Sequence, residues 1–497
     1  MVGNTEFVET AIPMDKEGRP KKEFTTAEAV ISIVCLVLGC MFAHFVRGYA
    51  GGLWGGIFWM LTGIVGAVYV RCKGIQVLRG QKAMFLIAEL FCLTPLFCAN
   101  MGINILATVF SFLLFGYLAF SVRGGSLFGK RFVSDLAESV LAQPFSCYTD
   151  AKDAAAKLVK DPKLGRNILY VVLGLIISIP LSVIVLYLLM SSDGRFSDLV
   201  IRVGQYLPGF HIRYVFEFGF GILVWMYLFG GLSAIENKKE EPWFEAGKKK
   251  FLPPALGYAA ATPVCVFYVA YIVVQFQYVT SAFLGTLPEE YSYSSYARNG
   301  FFELCIIAVI NLGVLLVMEL FIKQPEGKRS VTLKVYNTVL ASVTLLLIAS
   351  ALSKMVLYIL EMGMTPLRIY TSWFMLVLAA VFVTVIVSQY VTFSFWKTVF
   401  VCFTVLFGVL CFSNVDGMIA RYNVTAYEEG RLTDVDFDVL EELGDVALVY
   451  VERLANAEHD EISEEARRQY RNMLRNTDEK MGFAYFSIPR AIGRGGK

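Results

Sequence analysis

Long apolar runs separated by short polar stretches dominate the first 413 residues. They recur at 27–46, 50–70, 84–100, 102–121, 168–190, 215–235, 256–280, 300–322, 335–360, 367–390 and 395–413. Most are close to the length a helix needs to cross a hydrocarbon layer of roughly 30 Å. An α-helix also satisfies its own backbone there, which a lone strand cannot. The pattern predicts an all-α integral membrane protein, a bundle of about eleven transmembrane helices. Residues 1–26 form a polar cytosolic leader, 27–413 the transmembrane domain, and 414–497 a small extracytoplasmic helical C-terminal tail. The leader is not a cleavable signal, because the run after it is too long and no small-residue cleavage site follows. The runs 84–100 and 102–121 are joined by almost nothing, so a hairpin that only partly crosses is the alternative there.

Two polar regions carry helical periodicity of their own. The long loop 122–167 reads as an amphipathic helix over 134–143, a break at Pro144, and a second piece from Thr149, as its cap, to Val159, ended by Asp161-Pro162. In the tail, Thr433 and Asp436 resemble a capping box. Val439, Leu443, Val446, Ala447, Tyr450 and Leu454 then share one helical face. A second helix over about 463–475 has Tyr470 and Leu474 as its narrow apolar stripe and a Glu464/Arg468 pair at turn spacing. Two helices make a small core, so docking onto the membrane part is expected.

Charge sets the orientation. With the N-terminus inside, the cytosolic segments collect 26 Lys and Arg, and the opposite loops hold far fewer. Eleven crossings then leave the C-terminus outside. The tail carries 17 acidic and 11 basic residues, a net of −6, while the whole chain is +2. A multi-pass protein of a bacterial plasma (inner) membrane is expected, with the bilayer as its first partner. Hydrophobic residues make up 56% and charged residues 17%, which excludes a soluble domain. The ten cysteines lie mostly in apolar runs and none is in the tail, so no disulfide framework is implied.

Polar residues inside such runs need partners or a task. On this topology one group falls at the outer membrane boundary: Arg213, Glu217, Tyr296, Arg298, Glu303, Glu361, Arg368, Tyr370, Asn414, Asp416, Arg421, Tyr422 and Asn423. Two readings compete. Either Arg298, Arg368 and Arg421 pair with Glu303, Glu361 and Asp416 to lock helix ends and dock the tail, or the arginines bind a phosphate or carboxylate of a lipid or envelope precursor. Deeper polar residues are Glu89, Gln275, Asn311 and Glu319, and Asn311 is read as an interhelical hydrogen-bond donor. Pro95, Pro180 and Pro263 are read as bends.

Several motifs are rejected. Residues 124–130 have the spacing of a phosphate loop, but Arg131 stands where Ser or Thr would hold magnesium and no strand precedes it. The three histidines are scattered and no cysteine pair has ligand spacing, so no metal site is expected. No cofactor and no nucleic acid are implied. Asn423-Val424-Thr425 is a glycosylation sequon, a short and common match.

The segments YARNGFFEL (296–304), TPLRIYT (365–371) and NVDGMIARYN (414–423) resemble the hallmark segments of an uncharacterised family of bacterial polytopic membrane proteins, catalogued as a domain of unknown function. The closing stretch Phe486–Ala491 resembles a degenerate form of that family's ending, with Ser487 in place of the usual Asn and Pro489 breaking the pattern. The resemblance implies a membrane protein without an agreed activity. The first functional expectation is a non-enzymatic envelope protein for signalling, partner binding or lipid head-group binding through the outer polar cluster. The alternative is a transporter or lipid flippase with Glu89, Gln275, Asn311 and Glu319 along a path. A third is a membrane transferase on a lipid-linked substrate with Glu303 or Asp416 as base.

Overall fold

The computed structural model describes residues 22–46, 52–124, 127–129, 131–158, 185, 188–192, 194–196, 212–236, 252–284, 301–323, 330–457, 461–478 and 485–495. These are helical throughout apart from turns and one isolated bridge between Leu252 and Ile322. Nine described helices are long and apolar enough to cross a membrane. Of the eleven expected runs, 168–190 lies almost wholly outside the described residues. The run 84–100 is not one helix: α3 (Arg79–Cys92) stops at Leu93, and a four-residue α4 (Thr94–Phe97) follows with Pro95 in its first turn.

The chain divides into two compact units. The first comprises residues 1–44, 64–76 and 143–237, the second residues 45–63, 77–142 and 238–497. In the first unit α1 (Thr26–Met41) packs along α9 (Ile212–Ser233). The crossing is as close as backbones allow, since a Cβ on Gly39 would lie 2.1 Å from the Gly221 carbonyl oxygen. The Trp225 indole donates to Ser32 Oγ at 3.0 Å, and Ser32 donates to the Ala151 carbonyl of α8 (Asp150–Ala156) at 2.7 Å. A complete capping box starts α1. Thr25 accepts from the Glu28 amide, and Glu28 accepts from the Thr25 amide at 2.8 Å.

The loop helix departs from its expected form. Pro144 does not break it. α6 (Phe132–Ala137) runs through a π-turn at Glu138–Ala142 into α7 (Gln143–Ser146). The wider turn absorbs the missing proline N–H and moves the ring off the carbonyl four residues back. Thr149 holds the cap position of α8 but its side chain makes no capping bond, and Asp161-Pro162 lies outside the described residues.

In the second unit α10 (Pro254–Leu284), α11 (Phe301–Phe321), α12 (Val331–Met362) and α13 (Pro366–Tyr390) pack in sequence around Phe301, Ala308, Leu340, Leu347, Ala351 and Phe382. At 1.5 Å per residue the 32-residue α12 is roughly 48 Å long, more than the hydrocarbon layer requires. Pro263 is carried inside α10 without ending it. α14 (Phe395–Phe412) packs on α13, and its Phe407 ring stacks on Phe91 of α3 at 5.3 Å.

The C-terminal segment has no core of its own. Val439, Leu440, Val451, Leu454, Ala466 and Met473 share one buried cluster with Phe91, Ile103, Phe407 and Cys411 of the spans. Its helices are α15 (Val415–Glu428), α16 (Phe437–Glu442), α17 (Leu448–Ala455), α18 (Glu461–Asp478) and α19 (Ile488–Gly493). The single apolar face expected over 439–454 is split by a 3-10 turn at Gly444–Ala447, where Gly444 takes a φ of 61°. That left-handed conformation ends one helix and re-aims the next. The cap of α16 is Asp436, accepting from the Val439 amide at 3.2 Å, rather than Thr433. On α18 the buried stripe is Ala466 and Met473, with Leu474 exposed, and Arg468 pairs with Glu465 rather than Glu464.

Candidate functional site

One end of the second unit gathers the turn after α4, the α12–α13 corner, the start of α15 and the last helix. The α12–α13 corner is built first by glycine. Gly363 has a φ of 76°, and its amide closes α12 on the Ile359 carbonyl at 2.9 Å. Thr365 then caps α13 by accepting from the Arg368 amide at 3.3 Å, with Pro366 at the first helical position. Between the two, half-buried Met364 presents a short backbone edge that neither helix bonds. Asn423 of α15 takes both of its groups. Asn423 Oδ1 accepts from the Met364 amide at 2.7 Å, and Asn423 Nδ2 donates to the Met364 carbonyl at 2.8 Å. The amide side chain imitates a strand partner and is buried. The sequon at Asn423 is therefore closed to a glycosyl group.

Arg368 is set differently from the expected ion pair. Its Nη1 donates to the Met362 and Gly363 carbonyls at 3.0 and 2.5 Å, and the guanidinium lies over the Tyr358 ring at 4.0 Å. The cation meets the carbonyl end of α12, where the helix dipole favours positive charge. Beside it is a recess of about 180 Å³, walled by Phe301 and Phe302 of α11, Met355 and Tyr358 of α12, and Leu367 of α13.

Asp416 likewise meets none of the expected arginines among the described residues. It accepts from the Tyr370 hydroxyl at 3.2 Å and is buried. Burial pushes its carboxyl up to about 6, although the Tyr370 bond and the charge of Arg490 pull the other way. Arg490 was not singled out by the sequence. Its Nη1 donates to the Tyr485 carbonyl and its Nη2 to the Ala99 carbonyl, each at 2.8 Å, so it ties the last helix to the turn before α5 (Met101–Val122). Ser487 caps that last helix by accepting from the Arg490 amide. A small cleft between Asn104, Cys98, Tyr485 and Arg490 closes the junction. Asn414, at a left-handed φ of 48°, caps α15 on the Gly417 amide at 3.3 Å.

The remaining expected residues are placed less centrally. Glu303, Glu361 and Arg421 are exposed, and Tyr422 carries Arg431 over its ring. Glu217 belongs to the first unit, where it meets His44 at 2.7 Å. Tyr296 and Arg298, and the side chains of Arg213 and Gln275, lie outside the described residues. Of the deeper polar residues, Asn311 joins three helices: it accepts from Tyr268 at 2.8 Å and donates to Thr344 at 2.9 Å. Glu319 accepts from Asn337 at 3.5 Å. Glu89 is set against Gly63, and its buried Oε1 has no hydrogen-bond partner among the described residues.

The first unit holds a charged network that the sequence reading missed. Lys73 reaches Glu28 and Glu236 at 2.6 Å each, and Lys22 reaches Glu236 at 2.7 Å and Ser233 Oγ at 2.8 Å. Ser233 donates in turn to Asp150, and Tyr69 donates to Glu28 at 3.4 Å. Burial opposes the charge on Lys73, yet the bonds from Glu236 and Glu28 outweigh it and raise the ammonium. The available signals were the Thr25-x-x-Glu28 capping box and lysines next to the ends of apolar runs.

The fold and these polar ends define a polytopic helical membrane protein. A family model covering residues 85–454 matches the chain, so it belongs to the family described as Domain of unknown function (DUF4153). No curated protein and no solved structure matches it.

Proposed function

We propose that this is a non-enzymatic binding protein of the cell envelope, with its tail-bearing end turned away from the cytosol and receiving an envelope partner there. The supporting observation is the way polar groups at that end are used. Asn423, Asp416 and Arg490 are engaged in holding the C-terminal helices to the span ends. A tail held by directional bonds at several span ends is an ordered platform joined to α12, α13 and α5. Binding on the platform is then felt by the spans, because any shift of α15 pulls on the Met364 edge. The loop charges and the acidic tail support the outward orientation.

Two measurements test this reading. An Arg475→Cys variant, at an exposed position of α18, is expected to react with an impermeant maleimide in intact cells above the level of the parent protein. Labelling only after lysis overturns the orientation. Cross-linking in intact cells is expected to give a defined set of partners that is lost in Asn423→Ala, and an identical set in both overturns the platform.

A second reading, proton-coupled transport, is favoured by the buried Glu89 Oε1, which has no hydrogen-bond partner among the described residues. It predicts proton movement in proteoliposomes that Glu89→Gln abolishes.

A further inference from the structure

We propose that the recess beside Arg368 is an anionic phospholipid site, with the phosphate on the guanidinium and the end of one acyl chain between the aromatic walls. The claim names a ligand for the same end of the protein, and it rests on the reading above only for which leaflet supplies the lipid. Three observations carry it. The recess lies where α11 and α13 begin and α12 ends, so it sits at a helix-end level of the spans, the depth of lipid head groups. Its volume of about 180 Å³ is apolar along Phe301, Phe302, Met355 and Leu367, about six water molecules' worth of space. That is room for a few methylene groups and too little for a folded peptide.

The third observation is the state of Arg368. One nitrogen is spent on the Met362 and Gly363 carbonyls, and the Tyr358 ring fixes the plane of the guanidinium. The Nε and Nη2 hydrogens have no acceptor among the described residues. They are the paired edge of the fork that matches two phosphate oxygens. A positive group held flat at the mouth of an apolar recess selects a ligand that is anionic at one end and apolar at the other. A free phosphate satisfies the first condition alone, and a zwitterionic lipid brings a quaternary amine that the arginine repels.

The test uses the full-length protein in nanodiscs made with equal phosphatidylglycerol and phosphatidylcholine, released into the gas phase for mass spectrometry. The wild type is expected to retain phosphatidylglycerol over phosphatidylcholine by about tenfold, the scale of one like-charge repulsion between the choline amine and the guanidinium in a partly solvated site. Arg368→Gln is expected to erase the preference. Leu367→Trp keeps the guanidinium but fills the recess from its exposed lip, and is expected to lower retention of both lipids. Hydrogen exchange of α17 and α18 checks that each variant keeps its tail docked. An unchanged lipid ratio in Arg368→Gln overturns the site. Full displacement of the lipid by glycerol 3-phosphate also overturns it, in favour of a free-phosphate site. If the lipid preference holds while Arg475→Cys labels only after lysis, the site stands in the inner leaflet and the outward orientation falls.

Discussion

Asn423→Ala is the sharpest perturbation of the tail. Asn423 makes two bonds to one residue, at 2.7 and 2.8 Å, and is 4% exposed. Each bond contributes about 1 kcal/mol net, and each backbone group left without a partner costs about 1–3 kcal/mol if water cannot reach it. Met364 is half-buried, so some water replaces the lost amide. The expected loss is therefore about 2–4 kcal/mol, roughly 30- to 1,000-fold in the docking equilibrium. Gly363→Ala attacks the same clamp from the other side. Its Cβ would sit 2.8 Å from Asn423 Oδ1 on a backbone with φ of 76°. Because the two changes break one interaction, the double variant is expected to lose little more than the worse single one. Hydrogen exchange on the protein in nanodiscs reads the effect: amides of α16, α17 and α18 should open faster while those of α11 and α12 do not change. Arg421→Ala, an exposed change on the same helix, is the control and should leave exchange unaltered. Equal tail protection in Asn423→Ala and the wild type would refute the clamp.

Three further outcomes are expected. Asp416 is held up at about 6 against an ordinary 3.8, so the folded protein keeps its proton longer than the unfolded chain. Its contribution is complete below pH 3.8 and is lost as pH rises to about 6, up to about 3 kcal/mol in all. Thermal unfolding of Asp416→Asn should show that much less decline than the wild type between pH 4 and 7. Lys73→Met strands the buried Glu28 and should cost about 3–5 kcal/mol, with most of it recovered in a Glu28→Gln, Lys73→Met double variant, as read by melting in detergent. Asn311→Leu removes bonds to two other spans and should cost about 1–2 kcal/mol, measured by the same melting without any change in tail exchange.

Much of this architecture is a property of the chain alone. A run of twenty apolar residues has one good solution in a bilayer, a helix, so nine of the expected spans could be read by length and composition. Caps were less legible: Thr149 makes no capping bond, and Asp436 rather than Thr433 caps α16, because several side-chain acceptors lie near a helix start and the backbone turn selects among them. Asn423, Asp416, Arg368 and Tyr370 stood out as polar groups at the edges of apolar runs. Their partners did not: among the described residues neither Arg368 nor Asp416 makes the expected pair of arginine with carboxylate. The arginine found carbonyls and a tyrosine ring, and the aspartate found a hydroxyl 46 residues away. Charge complementarity in a sequence says which groups attract. It does not say which backbone carbonyls a helix end leaves unbonded, nor which helix ends come together. Arg490 and Ala99 are 391 residues apart and meet only once the last helix has docked. Helix formation depends on contacts within a turn or two, so the sequence determined the spans. The clamp, the apolar recess beside Arg368 and the half-buried lysine network depend on contacts across the fold, so the tertiary structure alone decided them.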